Sequence, residues 1–170
     1  MDELKPTQAP DRVRQIAVPP ATRSLSTLSH VDYADTFLVE VGPPKQWSAE
    51  QWARAVLNDA PIGVRANLLL GWSAIGLKPA IGRSGQSILG WKIRVSTPEF
   101  VLLGRDSLIG MPGELLFKCE RHALTFATFV QHNSWIARAV WAAIEPVHIR
   151  VVSKVLEQAS RRFPNAGEHT

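Results

Sequence analysis

Residues 133–152 read NSWIARAVWAAIEPVHIRVV, and this stretch decides the predicted fold. Its apolar residues recur at the three- and four-residue spacing of a helix, which we predict to run from Ser134 to about Arg162. Pro146 predicts a kink, because proline lacks the N–H that would continue the helical hydrogen bonds. The predicted buried stripe consists of Ile136, Val140, Ile144, Val147, Val151 and Val155.

The chain before this helix changes from helical to alternating patterns. A strand is predicted over 33–41, and Ser48 with Gln51 has capping-box spacing, which predicts a helix over 49–59. A second, apolar helix is predicted over 62–75. The period then becomes two, which predicts strands over 88–95, 100–107, 115–120 and 124–132. Short spacers make these four strands antiparallel neighbours in a meander.

The composition is that of one globular domain. The chain has 170 residues, of which 45% are hydrophobic and 20% are charged. The net charge of +4 is spread along the sequence without a basic run, so we predict no nucleic-acid binding. Cys119 is the single cysteine, and the polar N-terminus lacks an apolar signal segment, so a cytoplasmic location is expected. The apolar stretches are shorter than the roughly 20 residues that span a bilayer, although peripheral membrane contact stays open.

Three regions are predicted along the chain. Residues 1–30 are rich in Pro, Thr, Ser and Arg and are expected to form an extended lead-in. Within them, Pro19-Pro20 argues against regular helix or a central strand. The folded domain is predicted over 31–163, and residues 164–170 are expected to be a frayed tail.

The order of elements predicts an α+β fold, with a curved antiparallel sheet around the long C-terminal helix. This order resembles the helix-grip fold of the START-like (SRPBCC) superfamily, which includes polyketide cyclases and plant-allergen-like lipid binders. Three segments resemble an uncharacterised bacterial family within that superfamily: SAEQWARAVLNDAP (48–61), ILGWKI (88–93) and HNSWIARAVWAAIEPVHIRVV (132–152), the last with Ala137-Arg138, Trp141 and Pro146-Val147-His148. The resemblance implies a cavity between sheet and helix but no particular reaction.

Three residues of the last helix form a strip along one edge of its apolar stripe. Trp141, Glu145 and His148 stand at i, i+4 and i+7, with Arg138 beside them. A histidine oriented by a carboxylate can act as a general base or bind a polar ligand head. The same residues can also form a structural network in which Arg138 pairs with Glu145, His148 hydrogen-bonds a neighbouring strand and Trp141 belongs to the core. Structural, ligand-contacting and catalytic interpretations all stay open, with His148 and Glu145 as the catalytic candidates.

Six tryptophans against one tyrosine suggest either a bulky core or an aromatic-lined cavity. Glu114, Arg105 and Asp106 lie near predicted turns and are expected to be solvated. The predicted ligand-contacting residues are Trp52, Trp72, Trp91, Arg94, Trp141, Glu145 and His148.

The sequence motifs predict no metal and no cofactor. Glu145-x-x-His148 resembles one half of a di-iron helix motif, but the second copy that such a site requires is missing from the sequence. The sequence around Ser84 lacks the second glycine of a nucleophile elbow. Neither a dinucleotide-binding glycine pattern nor a P-loop occurs.

The predicted function is binding of a hydrophobic or amphipathic small molecule, lipid or polyketide-like, in a cavity between the sheet and the C-terminal helix. One alternative is an enzyme, a cyclase, dehydratase or hydrolase, that uses His148 and Glu145. A second alternative is an interaction module that meets an acidic partner or a membrane through the basic residues Arg150, Lys154, Arg161 and Arg162. The sequence does not indicate the ligand or the oligomeric state.

Overall fold

The computed structural model describes residues 12–41, 47–80 and 85–162. In these ranges one antiparallel sheet is formed by seven strands in the spatial order β1-β2-β7-β6-β5-β4-β3. The fold is therefore α+β, with a long C-terminal helix. The elements are β1 Val13–Ile16, α1 Pro20–Arg23, β2 Tyr33–Glu40, α2 Ala49–Leu57, α3 Ile62–Ala74, β3 Ser87–Ile88, β4 Trp91–Ser96, β5 Phe100–Arg105, β6 Gly113–Cys119, β7 Ala123–Val130 and α4 Trp135–Arg162.

The capping box predicted at the start of α2 is confirmed. The Ser48 hydroxyl accepts from the Gln51 backbone N–H at 3.3 Å, and the Gln51 side-chain oxygen accepts from the Ser48 N–H at 2.8 Å. Both bonds satisfy backbone donors that a helix N-terminus otherwise leaves unpaired. The cap fixes the start of α2, whose buried face packs against the sheet.

The N-terminal segment, residues 12–31, contains two elements that were not predicted from the sequence. β1 pairs with β2 as an edge strand, with Val13 opposite Val39. Pro20 begins the short helix α1, so the expectation that Pro19-Pro20 excludes a helix is wrong. Proline is tolerated there because the first helical N–H needs no partner inside the helix. The boundaries 31–163 stay a prediction, and residues 1–11 and the predicted tail 164–170 lie outside the described residues.

The predicted strand over 88–95 is instead a hairpin of two strands. Ile88 of β3 pairs with Trp91 of β4, and only Leu89 and Gly90 connect them. Both connecting residues have positive φ, 46° and 78°. A two-residue turn with this backbone matches the twist of the paired strands. The hairpin directs Trp91 into the core, where it is 2% exposed.

The two faces of the sheet carry separate apolar clusters, because side chains alternate along each strand. One face packs against α2 and α4 through residues that include Phe37, Val39, Leu103, Leu115, Phe117 and Phe126. The other face packs against the N-terminal segment through Leu102, Leu116, Ala127 and Phe129, which meet Leu25, Leu28 and Val31. The N-terminal segment thus covers the face that α4 leaves free.

Glu114 of β6 fastens this N-terminal segment to the sheet. Its carboxylate is fully buried and accepts from the Ser26 hydroxyl at 2.6 Å, from the Thr27 N–H at 3.1 Å and from the Thr27 hydroxyl. Arg94 of β4 donates to the same carboxylate at 2.8 Å. The prediction that Glu114 is solvated is wrong, because the segment 26–28 closes over it.

The buried face of α4 differs from the predicted stripe. Of the six predicted residues only Val155 is buried, whereas Val147 is 49% exposed. The described residues of α4 that are buried are Ala137, Trp141, Val155, Leu156, Ala159 and Ser160. The helix is thus turned so that a mixture of small and large residues is buried, and much of the aliphatic stripe borders a cavity.

Candidate functional site

A cavity of about 330 Å³ lies between the helices and the face of the sheet that carries Leu115 and Phe126. Its walls come from α2, α3 and α4, and its lining is almost entirely aliphatic and aromatic. Four of the six residues in the predicted α4 stripe line it, namely Ile144, Val147, Val151 and Val155. The stripe that the sequence assigns to the core is therefore largely a cavity wall.

The exposure of the lining residues distinguishes a floor from a mouth. Val56, Leu68, Leu115, Phe126 and Leu156 are buried and form the floor. At the mouth, Asn67, Gly71 and Ala74 of α3 and Val147 and Val151 of α4 are exposed. The cavity therefore opens to solvent between α3 and α4.

Helix α3 has few buried residues, although most of its residues are apolar. Leu68 is its one buried residue, while Ile62 is 79% exposed and Leu70 is 70% exposed. A helix that is hydrophobic on all sides normally lies inside a core. In this structure α3 instead forms one side of an open cavity.

His148 forms the polar end of the cavity lining, together with a buried carboxylate of the sheet. Its Nε2 lies 2.9 Å from Oδ2 of Asp35, whose side chain is 1% exposed. The Tyr33 hydroxyl donates to the same Oδ2 at 2.8 Å, and the Thr128 N–H donates to Oδ1 at 3.2 Å. An ionised carboxylate only accepts hydrogen bonds, so Nε2 of His148 carries the hydrogen that it donates to Asp35.

Aromatic rings enclose this pair. The Trp141 ring centroid lies 4.6 Å from that of Tyr33 and 5.1 Å from that of His148. Tyr33 meets His148 edge to face at 6.1 Å. These contacts restrict the orientation of the imidazole, and its Nδ1 can then exchange a hydrogen bond or a proton with a molecule in the cavity.

His148 bonds to a neighbouring strand, β2, as the structural interpretation predicts, whereas no hydrogen bond or ion pair joins it to Glu145 among the described residues. In the described part of the chain Glu145 forms no ion pair with Arg138, and the carboxylate bonded to His148 belongs to Asp35. Sequence reasoning missed Tyr33 and Asp35. The available signal was the alternation in YADTFLVE, which puts Asp35 on the same inward face as Phe37.

The predicted ligand-contacting residues separate into two groups. Trp72, Trp141 and His148 line the cavity. The others are not among its lining residues: Trp52 meets Trp47 edge to face in the core, Trp91 is a buried residue of the β3–β4 hairpin, Glu145 is half-buried on α4, and Arg94 pairs with Glu114 on the opposite face of the sheet.

Arg105 supports the cavity wall from behind. Its guanidinium lies 4.8 Å from the Trp72 ring and 5.3 Å from the Trp91 ring, and it donates to the carbonyls of Gly90 and Leu89. The prediction that Arg105 is solvated is wrong, since it is 2% exposed, and burial lowers its pKa to about 10. Asp106, by contrast, is exposed as predicted.

The single tyrosine gives a spectroscopic test of this arrangement. Burial, with the Asp35 carboxylate next to it, raises the pKa of Tyr33 well above its usual value of about 10. We expect the folded protein to show no tyrosinate absorbance at about pH 11, one unit above the usual tyrosine pKa. Since the unfolded chain releases this proton and the native chain keeps it, stability should fall as the pH rises above about 10. Tyrosinate absorbance that appears at pH 10 while circular dichroism stays native would contradict the buried Tyr33–Asp35 contact.

Comparisons with known proteins do not assign a function to this site. No protein-family model and no curated protein matches the sequence. The structure is similar to a solution NMR structure of a protein from Arthrobacter aurescens, with 12% identity, a TM-score of 0.40, and coverage of 84% of this chain and 97% of that chain. A protein of unknown function from Pseudomonas aeruginosa has 14% identity, a TM-score of 0.25, and coverage of 88% and 85%. Likenesses this weak carry no argument about function.

Two further findings concern the described residues alone. None of their helices has the length and apolar character needed to cross a membrane. Their His, Cys, Asp and Glu side chains form no group of three or more that could hold a metal ion.

Proposed function

We propose that the protein is a helix-grip protein of the START-like type that binds a hydrophobic or amphipathic small molecule in the cavity between the sheet, α3 and α4. The observation that carries the proposal is the cavity of about 330 Å³ with an aliphatic wall and one polar end at His148. Small-molecule sites are mostly apolar pockets of about 300–1,000 Å³ with a few polar groups that orient the ligand.

The exposed apolar surface at the mouth supports the same proposal. Val147 and Val151 line the cavity and are left in contact with water, with 49% and 38% of their surface exposed. Burial of apolar surface contributes about 25 cal/mol per Å², so a ligand that covers these side chains gains affinity from them. The exposed apolar mouth of the cavity can therefore contribute binding free energy for an apolar molecule.

Gly71 offers a substitution that fills the cavity without straining the fold. It lines the cavity from α3, and a Cβ added there meets nothing within 4 Å. We expect Gly71→Leu to weaken binding of the apolar fluorophore N-phenyl-1-naphthylamine by at least about tenfold, because the new side chain occupies ligand space. Thermal stability should stay the same or rise, since glycine disfavours helix by about 1 kcal/mol. A fluorescence titration measures the affinity, and a thermal melt measures the stability.

Gly63 provides the matched control in the same helix. It does not line the cavity, and a Cβ added there also meets nothing within 4 Å. Gly63→Leu should bind the fluorophore as the wild-type protein does. Absence of saturable binding to the wild-type protein, or equal losses in the two variants, would overturn the proposed function.

A further inference from the structure

Trp141 and His148, whose rings are neighbours in the cavity lining, each carry a polar group that lacks a partner among the described residues. Trp141 lines the cavity and is 5% exposed. Its indole Nε1–H is buried and makes no hydrogen bond to a described residue. A buried indole N–H usually finds an acceptor, so an unpaired one needs an explanation. His148 uses Nε2 for Asp35, and no described residue bonds to its Nδ1.

The contact with Asp35 decides what Nδ1 can do. Because Nε2 of His148 carries the hydrogen given to Asp35, Nδ1 of the neutral ring is an acceptor. If the ring gains a proton, Nδ1 becomes a donor. In both states Nδ1 holds one side of a hydrogen bond whose proton it can share with a ligand.

The two unpaired groups require complementary atoms on one ligand head. Trp141 offers a donor and needs an acceptor, while Nδ1 of neutral His148 needs a donor. The centroids of the two rings are 5.1 Å apart, so one small head group can contact both residues. A carboxylic acid carries an acceptor carbonyl and an O–H on separate oxygens, whereas an alcohol has to serve both partners with one oxygen.

The size of the cavity limits the rest of the ligand. One water molecule occupies about 30 Å³ of liquid volume, so a cavity of about 330 Å³ has the volume of roughly eleven water molecules, which suits a chain of about eight carbons with its head group. The wall beside His148 consists of Ile144, Val147, Val151 and Val152, which offers no polar partner to a chain that leaves the head group.

From these observations we infer that the cavity binds an aliphatic carboxylic acid of about eight carbons, whose head group bonds to Trp141 Nε1 and His148 Nδ1. This inference rests on the proposed function and specifies its ligand class. The carboxylate form binds with one proton taken from solvent, which the head group and the imidazole share. No covalent bond forms or breaks.

Octanoic acid and methyl octanoate test the inference as a matched pair, since the ester keeps the chain and the carbonyl but cannot share a proton. By isothermal titration calorimetry, we expect the wild-type protein to bind the acid about tenfold more tightly than the ester. His148→Gln should bring this ratio close to one. Trp141→Phe should weaken both ligands by about tenfold, because each uses the indole N–H, and should preserve the ratio.

Each outcome bears on a separate statement. If the wild-type protein binds acid and ester equally, or if His148→Gln keeps the tenfold ratio, the polar-end inference is overturned while the proposed cavity stands. If His148→Gln fails to fold, the wild-type ratio and the Trp141→Phe result still decide the inference. If the acid, the ester and N-phenyl-1-naphthylamine all fail to bind the wild-type protein, the proposed function itself fails.

Discussion

Replacement of Glu114 by glutamine is expected to lower the free energy of unfolding by about 3 kcal/mol, the low end of the range for breaking a buried ion pair. Glu114 is fully buried, and its carboxylate accepts from Ser26, Thr27 and Arg94. The amide retains one oxygen acceptor and introduces two donors that face other donors. Arg94 is 24% exposed and keeps part of its hydration, which is why we expect no more than the low end. For a chain of this size the melting temperature should drop by about 10 °C.

Glu120→Gln is the matched control for this measurement. Glu120 also pairs with a cation, Lys118, at 3.6 Å and accepts from Thr125, but its side chain is 45% exposed. A solvent-exposed ion pair contributes at most about 1 kcal/mol. Similar small losses in the two variants would mean that Glu114 does not hold the N-terminal segment on the sheet.

The second large effect is expected for Asp35→Asn, which should lower the free energy of unfolding by about 2–3 kcal/mol. Three hydrogen bonds reach this carboxylate, from Tyr33, Thr128 and His148. An asparagine side chain has one oxygen acceptor, and its NH₂ group must face at least one of these donors. The His148 ring also loses the partner that keeps hydrogen on Nε2, so the preference for octanoic acid over its methyl ester should fall with the stability. Urea unfolding and calorimetric titration measure the two effects.

Asp32→Asn is a control close by in the chain. Asp32 accepts from the His132 backbone N–H and pairs with His30 at 3.0 Å, and its side chain is 30% exposed. Because water solvates it, the substitution should cost at most about 1 kcal/mol and leave ligand selectivity unchanged. Loss of the preference for octanoic acid over its methyl ester in Asp32→Asn, or retention of that preference in Asp35→Asn, would contradict an orienting role for Asp35.

Features that depend on neighbouring residues were predictable from the sequence. The capping box of Ser48 and Gln51, the meander and the long α4 all follow from local spacing. The hairpin at Leu89 and Gly90 was missed because its turn puts leucine at positive φ, where asparagine or aspartate is the usual signal. The edge strand β1 was missed because its stability comes from pairing with β2, which local pattern does not show.

The candidate site was predictable only on its helical side. Trp141 and His148 were identified from their spacing on α4, but the carboxylate that orients His148 comes from Asp35, 113 positions away in the chain. Helical spacing favoured Glu145, which lies three residues from His148 on the same helix. Glu114 and Arg105 were interpreted as solvated because they border turns, and the sequence does not show which segments later cover a turn.

The central claim is that a small molecule binds between α3 and α4, and an NMR titration with N-phenyl-1-naphthylamine tests it most directly. The account predicts saturable shifts of backbone amides that concentrate at cavity positions such as Gly71, Ile144 and Val151. The chemical shifts of amides on the opposite face of the sheet, around Leu28 and Leu102, should not change. Shifts centred on that opposite face, or no saturable shifts at all, would contradict the account.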